Sequence, residues 1–306
     1  MSIPYFDAHC DTAVPVHYCG GSLRENSFHI DLQRLGAYAP CAQVFSVCVR
    51  HGPSMGEETD KVLDTLLAEI AANGDRVRLC RSAVDITNTA AEGKIAALLS
   101  VEGMEKLSCS LTGLRRAYDK GVRIVHLTWN HDNALSGAAM DSGSGLTELG
   151  RDFVPAAQDM GVALDLSHLS ERGFWETIEV AKKPVLAGHS DARALCDHPR
   201  NLTDEQFQAL VKTGGAAGLN FCCDFLGHGR DVDAVAAHAE HYLSLGGEKA
   251  LCLGGDLDGI PELPDGMEGV QSMEALYEAM LRRNWSEDLV RDIFWNNLFA
   301  FMERAL

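Results

Sequence analysis

The sequence predicts an α/β fold, specifically a (β/α)8 barrel of the TIM type formed by a single domain over residues 1–306. Short apolar runs alternate with longer amphipathic stretches along the chain, and eight such runs are present. A length of 306 residues also lies within the usual range of one such barrel. A doubly wound open sheet is the alternative fold, because counting strands does not show whether the sheet closes.

The predicted strands are the short apolar runs. They cover residues 5–9, 43–49, 95–101, 124–129, 163–166, 185–187, 216–221 and 250–254. Helical stretches fill most of the gaps between them, as expected for parallel strands joined by helical crossovers. The predicted helices cover residues 60–73, 111–120, 146–160, 171–180, 204–212, 231–245 and 272–282. Residues 254–269 are predicted to form a long loop, and residues 287–306 an extra helix.

Local signals support the predicted helix ends. Thr203 and Gln206 have the spacing of a capping box, and Ser170 and Ser286 precede two further helices as capping residues. Glycines follow three helices, where a left-handed residue is often required. These glycines are Gly121, Gly161 and Gly214.

Composition excludes several classes of protein. Lys and Arg total 26 against 44 Asp and Glu, so a net charge of −18 argues against binding to nucleic acid or to an anionic membrane surface. There is no run of 18 apolar residues, so no membrane span is predicted, and the first residues do not resemble a secretion signal. The ten cysteines form no C-x-x-C pair, which argues against a zinc ribbon or a thioredoxin motif. Because no export signal is recognised, we expect reduced thiols and a cytoplasmic location.

Histidine and acidic residues follow five of the predicted strands. In a parallel barrel the carboxyl ends of the strands meet at one edge, which is where catalytic groups gather. His9 and Asp11 are two apart, so on a strand both point the same way. The residues that follow the other four strands are Glu102, His168, His189 and Asp256.

Together these residues predict a metal centre. Each short pattern taken alone is more often structural, but burying so many ionisable groups at one edge is costly without a metal or a partner. Imidazole and carboxylate ligands suit zinc, with manganese, iron, cobalt or nickel as substitutes. Three histidines with Asp11 and Glu102 exceed the needs of one tetrahedral ion. Two ions bridged by a carboxylate would use all five residues and would hold a hydroxide between them.

The same residues resemble the membrane dipeptidase (renal dipeptidase) family of zinc peptidases, in a bacterial-type soluble form. The matching stretches occur in the family's order over nearly the whole chain. They are Asp7-Ala8-His9-Cys10-Asp11, Ser100-Val101-Glu102-Gly103, Asp165-Leu166-Ser167-His168, Gly188-His189-Ser190, Arg200-Asn201, Gly254-Gly255-Asp256-Leu257-Asp258-Gly259, Leu281-Arg282-Arg283-Asn284-Trp285-Ser286 and Asn296-Asn297-Leu298.

The resemblance implies a role for each matching residue. His9 and Asp11 would bind one zinc ion and His168 and His189 the other, while Glu102 would bridge the two. Arg200 would hold the terminal carboxylate of a dipeptide substrate, and Asp256 would handle protons at the scissile amide. Cleavage of dipeptides with a D-residue at the C-terminal position and a homodimer are also implied.

One departure from the family concerns the fourth predicted strand. The best-known members of the family carry a histidine directly after Leu-Thr, where it contacts the substrate carbonyl oxygen. Here Leu127-Thr128 is followed by Trp129, so His131 or Asn130 is the candidate replacement. Two alternative functions therefore stay open: another binuclear metal-dependent hydrolase acting on amides or lactones, and a metal-binding protein without turnover.

Other polar residues receive supporting or structural roles. Asp7 is expected to form hydrogen bonds beneath His9, and Asp165 and Asp258 to orient loops or ligand histidines. Five further histidines are expected to be on the surface or structural. These are His51, His126, His198, His238 and His241.

Overall fold

Eight parallel strands close into a barrel surrounded by helices in the computed structural model, which describes residues 2–306. With one further strand, β3, beside the ring, the strands of the described residues are β1 Tyr5–Cys10, β2 Cys41–Val47, β3 Val77–Leu79, β4 Ile95–Glu102, β5 Val122–His126, β6 Ala163–Asp165, β7 Leu186–Ala187, β8 Ala216–Leu219 and β9 Leu251–Leu253. The barrel order is β1-β2-β4-β5-β6-β7-β8-β9, and β9 pairs with β1 to complete the ring. The predicted closed barrel is confirmed, and the open sheet is excluded.

Strand β3 is an addition that the sequence did not predict. It pairs with the first residues of β4, while β5 pairs with the last ones, so β3 and β5 share one side of β4. Only Val77 of its three residues is fully buried. A segment this short and this exposed has no apolar run by which it could be recognised.

Helices occupy the crossovers between the strands. They are α1 Ala13–Cys19, α2 Leu32–Leu35, α3 Met55–Ala72, α4 Ala83–Ala91, α5 Leu111–Lys120, α6 Glu148–Asp159, α7 Glu171–Val180, α8 Asp204–Thr213, α9 Cys223–Leu226, α10 Val232–Ser244, α11 Met273–Arg282, α12 Glu287–Arg291 and α13 Asn297–Ala305. Each predicted helix is present, although α3 begins five residues before the predicted start at residue 60. The predicted final helix consists of α12 and α13 joined by a π-helical turn at Asp292–Asn296.

The predicted helix caps form. Thr203 and Gln206 exchange the two hydrogen bonds of a capping box, and Gly214 follows that helix with a φ of 75°. The Ser170 and Ser286 side chains each accept a hydrogen bond from the third residue that follows. None of the helices within residues 2–306 is long and apolar enough to cross a lipid bilayer.

The amino-terminal half of the barrel interior is filled by an apolar cluster. All eight barrel strands contribute to it, so the cluster lies inside the ring and not on its outer face. Phe301 and Met302 of α13 pack against it, as does Ile86 of α4. This packing leaves the carboxyl end of the barrel for polar groups.

Three glycines, one in β8 and one directly after each of its neighbours β7 and β9, bring the backbone together near that carboxyl end. A Cβ atom on Gly254 would lie 1.7 Å from the carbonyl oxygen of Gly188, and one on Gly218 would lie 2.0 Å from the same oxygen. Since the obstacle is backbone, it cannot rotate away as a flexible side chain would. Only glycine therefore fits at these positions.

Replacing Gly254 with alanine is expected to lower the free energy of unfolding by about 3 kcal/mol or more, because strands β7, β8 and β9 must move apart. Urea unfolding of the metal-free protein measures the change. Gly52→Ala is the control, since a Cβ at Gly52 meets no heavy atom within 4 Å. Equal losses in the two variants would contradict the steric argument.

Candidate metal centre

Six of the predicted site residues converge at the carboxyl end of the barrel. His9 lies in β1 and Glu102 ends β4, while the other four lie in the segments that follow β1, β6, β7 and β9. These four are Asp11, His168, His189 and Asp256. Since parallel strands all end at this rim, residues far apart in the sequence become neighbours here.

Glu102 lies between two groups of side chains. Its Oε1 is 2.7 Å from Nε2 of His168 and 3.4 Å from Nε2 of His189. Its Oε2 faces the other way and lies 3.8 Å from Nε2 of His9, which is itself 3.4 Å from Oδ2 of Asp11. The carboxylate can therefore offer one oxygen to each of two adjacent cation positions.

The ligand atoms fit a divalent metal. His9 and Asp11 are buried, and within residues 2–306 neither ring nitrogen of His9 nor Oδ1 of Asp11 has a hydrogen-bond partner. Leaving buried polar atoms unpaired costs free energy, and a bound cation removes that cost. The possible ligand atoms of His9, Asp11 and Asp256 lie within 4.8 Å of one another, a spacing that one ion can span.

The protonation states reflect the crowding of these groups. Burial opposes a charge on His9, but the carboxylates of Glu102, Asp11 and Asp256 outweigh it and raise the pKa of His9 to about 10. Burial and the positive charge of Arg200 lower the pKa of His168 to about 3. At neutral pH His168 therefore presents a neutral ring, whereas His9 holds a proton that a metal ion must displace.

Asp256 has a different environment from the other carboxylates. Burial, together with the charges of Asp11 and Glu102, raises its pKa to about 7 despite the opposing effect of His9. Its Oδ2 accepts a hydrogen bond from Nδ2 of Asn220 at 3.1 Å. The residue has a φ of 56°, an uncommon backbone conformation for a residue other than glycine that is often found at functional sites.

Buried carboxylates hold the ligand-bearing strands in place, as the sequence predicted for Asp7, Asp165 and Asp258. Asp7 accepts hydrogen bonds from the backbone N–H groups of His9, at 2.9 Å, and Gly255, at 2.8 Å, which ties β1 to β9. Asp165 accepts from the backbone of Ser167 and Gly188 and ties β6 to β7. Asp258 accepts from the Thr12 side chain and the His29 backbone.

Two histidines expected to be on the surface or structural lie at the site. His126 ends β5, is buried, and has its Nε2 3.2 Å from Oδ2 of Asp165, with its ring beside that of His9. The predicted strand ran on to residue 129 and so hid the strand-end position that marks the other site residues. His198 lines the cavity above the centre because the segment after β7 folds back over the barrel.

The candidates for holding the substrate do not all reach the centre. Arg200 is buried, with Nη2 3.2 Å from Nε2 of His168 and Nη1 without a hydrogen-bond partner among the described residues. Oδ1 of Asn130 lies 2.9 Å from Nδ1 of His168. His131 does not join them: more than half of its side chain is exposed and it faces Asp141, so of the two proposed replacements only Asn130 faces the cavity.

Asn130→Ala is expected to weaken metal binding by about 10- to 100-fold, because it removes the group that orients the His168 ring. His131→Ala is the matched control and should leave metal affinity unchanged. Titration of both metal-free variants against a chromophoric chelator measures the affinities. A larger loss of metal affinity in the His131 variant would assign the orienting role to His131 and not to Asn130.

The centre forms the floor of an open cavity of about 620 Å³. Trp129 forms part of its wall and packs under the buried ammonium group of Lys106, 5.1 Å from the ring centre. Arg200, Asp256 and Phe225 are also in the lining. The cavity has room for a small peptide, and both a cation and an acid face into it beside the metal centre.

Comparison with known proteins agrees with this geometry. Residues 1–305 match the family model described as membrane dipeptidase (peptidase family M19). A Klebsiella pneumoniae protein encoded in the pqqA 5′ region is 32% identical over 249 residues, covering 77% of this chain and 92% of that one. A dipeptidase of Schizosaccharomyces pombe is 36% identical over 200 residues, covering 62% of this chain and 48% of that one.

Solved structures of peptidases share the whole fold. A metallopeptidase from Rhodobacter sphaeroides, liganded with a phosphinate mimic of the dipeptide L-Ala-D-Ala, matches with a TM-score of 0.92 at 26% identity over 100% of both chains. A dipeptidase of family M19 matches with a TM-score of 0.90 at 27% identity over 100% of this chain and 99% of that one. The chain therefore belongs to the membrane dipeptidase family, peptidase family M19, and is a metal-dependent dipeptidase.

Proposed function

We propose that the protein hydrolyses dipeptides with the help of two zinc ions. His9 and Asp11 would hold one ion, His168 and His189 the other, and Glu102 both. The observation that carries the proposal is the position of Glu102, whose two carboxylate oxygens face His9 on one side and the pair of histidines on the other. Histidine and carboxylate ligands are those that zinc prefers in catalytic sites.

Residues around the centre would bind and orient the substrate. The guanidinium of Arg200 is buried and has a free nitrogen, so it can hold the terminal carboxylate of a dipeptide through paired hydrogen bonds. This grip would place the scissile carbonyl beside Glu102. It also excludes longer peptides, which lack a carboxylate at that point.

Asp256 would supply the proton that the leaving amine requires. In the metal-free site its pKa of about 7 leaves a substantial fraction protonated at neutral pH, in contrast to an ordinary aspartate. Asn220 holds the carboxyl group in place. When bound, the zinc ions would supply Lewis acidity for the carbonyl oxygen and lower the pKa of the attacking water.

A panel of dipeptides tests the function. Zinc-loaded protein is assayed on paired L-Xaa-L-Xaa and L-Xaa-D-Xaa dipeptides, with a chelated sample as control. We expect cleavage that disappears on chelation and returns with zinc. The L-Ala-D-Ala mimic bound by the R. sphaeroides relative supports including D-residues at the second position, and we propose that this chain accepts them. Cleavage of no dipeptide by fully loaded protein would overturn the proposal.

The affinity for zinc is expected to rise about tenfold per pH unit between pH 7.5 and 9.5. The pKa of His9 is about 10 without metal, so over this range each binding event releases its proton and high pH favours binding. Competition with a chelator at several pH values measures the slope, corrected for the protonation of the chelator. The surface variant His241→Gln should keep the slope, and a flat profile would contradict the assigned protonation of His9.

A further inference from the structure

A second cavity of about 640 Å³ adjoins the cavity above the metal centre. It lies between helix α1 and the segment that joins β2 to α3, and Tyr18, His51 and Glu58 are among its lining residues. The two cavities share part of their lining, including Cys48, Arg50 and Asp258. A side chain that leaves the centre past Arg50 therefore enters the second cavity.

Arg50 and Arg200 lie on opposite sides of the barrel opening. Arg50 follows β2 by three residues, whereas Arg200 belongs to the segment after β7. In the ring of eight strands β2 and β7 are four places apart, which is directly across the barrel. A dipeptide held by Arg200 at its carboxylate, with its carbonyl over Glu102, would thus extend its first residue towards Arg50.

The acidic groups of the second cavity already accept hydrogen bonds from other groups of the protein. Glu58 accepts hydrogen bonds from the hydroxyl of Tyr18 at 3.1 Å and from Lys61 at 2.9 Å. Asp258 accepts from the Thr12 hydroxyl at 2.6 Å and from the backbone N–H of His29 at 2.7 Å. These bonds leave little capacity to bind a cation.

The basic groups of the second cavity have no carboxylate partner among the described residues. Within residues 2–306, no carboxylate oxygen lies within 4.0 Å of a guanidinium nitrogen of Arg50 or a ring nitrogen of His51. The hydrogen-bonding capacity left in the second cavity is therefore that of donors, and it matches an anionic group.

We infer that Arg50 selects dipeptides whose first residue carries a side-chain carboxylate, with glutamate as the representative case. The carboxylate would enter the second cavity and pair with the Arg50 guanidinium, while the second residue is held by Arg200. The inference rests on the proposed dipeptidase function and adds the class of first residue that is preferred.

Glu-Ala, Gln-Ala and Lys-Ala test the inference, with the alanine in the configuration that the enzyme cleaves faster. Glutamine has the shape of glutamate without its charge, so the ratio of kcat/KM for Glu-Ala over Gln-Ala isolates the effect of charge. We expect a ratio of about ten or more. Arg50→Gln should reduce the ratio to about one by lowering only the Glu-Ala value, and Arg50→Glu should favour Lys-Ala.

The control is Arg116→Gln, an exposed arginine in α5 far from both cavities, which should leave the ratio unchanged. Equal kcat/KM values for Glu-Ala and Gln-Ala in the unaltered protein would overturn the inference and leave the dipeptidase function intact. An equal loss on all three substrates in Arg50→Gln would also overturn it. Cleavage of no dipeptide at all would overturn the proposed function and this inference with it.

Discussion

Asp256→Asn is expected to lower kcat for dipeptides by about 10³-fold while leaving the zinc content unchanged. Asparagine keeps the size of the side chain and its contact with Asn220, but it has no proton to transfer to the leaving nitrogen. Without that proton an amine is a poor leaving group. Steady-state kinetics and metal analysis on the same preparation measure the two quantities.

Asp224→Asn is the matched control for this substitution. Asp224 lines the same cavity but is exposed, so we expect its loss to change kcat less than threefold. An unchanged kcat in Asp256→Asn would remove the proton-transfer role. A loss of zinc in that variant would instead make Asp256 part of the metal site, where its Oδ1 lies 3.8 Å from Nε2 of His9.

Glu102→Gln should lose at least one of two zinc ions and reduce turnover by more than about 10³-fold. A neutral amide cannot offer a negatively charged oxygen to each of two cations, and its NH2 group would point a donor at one of them. Metal analysis after gel filtration gives the zinc content, and circular dichroism shows whether the variant is folded.

Glu105→Gln provides the control, because it makes the same change three residues further on. Glu105 is also buried, but it pairs with Lys106 at 3.0 Å and Asn133 at 2.8 Å and lies outside the metal cluster. We expect this variant to lose stability and to keep its zinc. Retention of two ions by Glu102→Gln would exclude a bridging role.

The barrel could be predicted from the sequence because its strands are buried and apolar, so each stands out as a short run between helices. Helix α4 could not be predicted from the sequence, because Ile86, Thr87 and Thr89 are β-branched and lower its helix propensity. The beginning of α3 was missed because Gly56 lies in its first turn. Tertiary contacts with the barrel stabilise both segments, and those contacts are invisible in a local pattern.

The part of the candidate site that could be predicted from the sequence is the set of residues at the carboxyl ends of strands. His9, Glu102 and His189 are brought together by the geometry of parallel strands alone, although their roles stay predictions. The positions of His131 and Arg50, by contrast, depend on the paths of loops, which the sequence pattern does not show. The segment after β5 turns outward where Asp132 accepts hydrogen bonds from the backbone of later residues, and this turn carries His131 away from the cavity.

The pairing of β1 with β9 determines when the metal centre can exist during synthesis. The backbone N–H of Asp11 donates to the carbonyl of Leu257, and that of Asp256 donates to the carbonyl of His9. The first two proposed ligands are therefore held by the segment that follows the last strand. A nascent chain that lacks β9 presents His9 and Asp11 without their backbone contacts to Asp256 and Leu257, however much of the barrel has already emerged from the ribosome. Under the proposed ligand assignment, the His9–Asp11 side of the centre therefore takes its final geometry only when the ring closes.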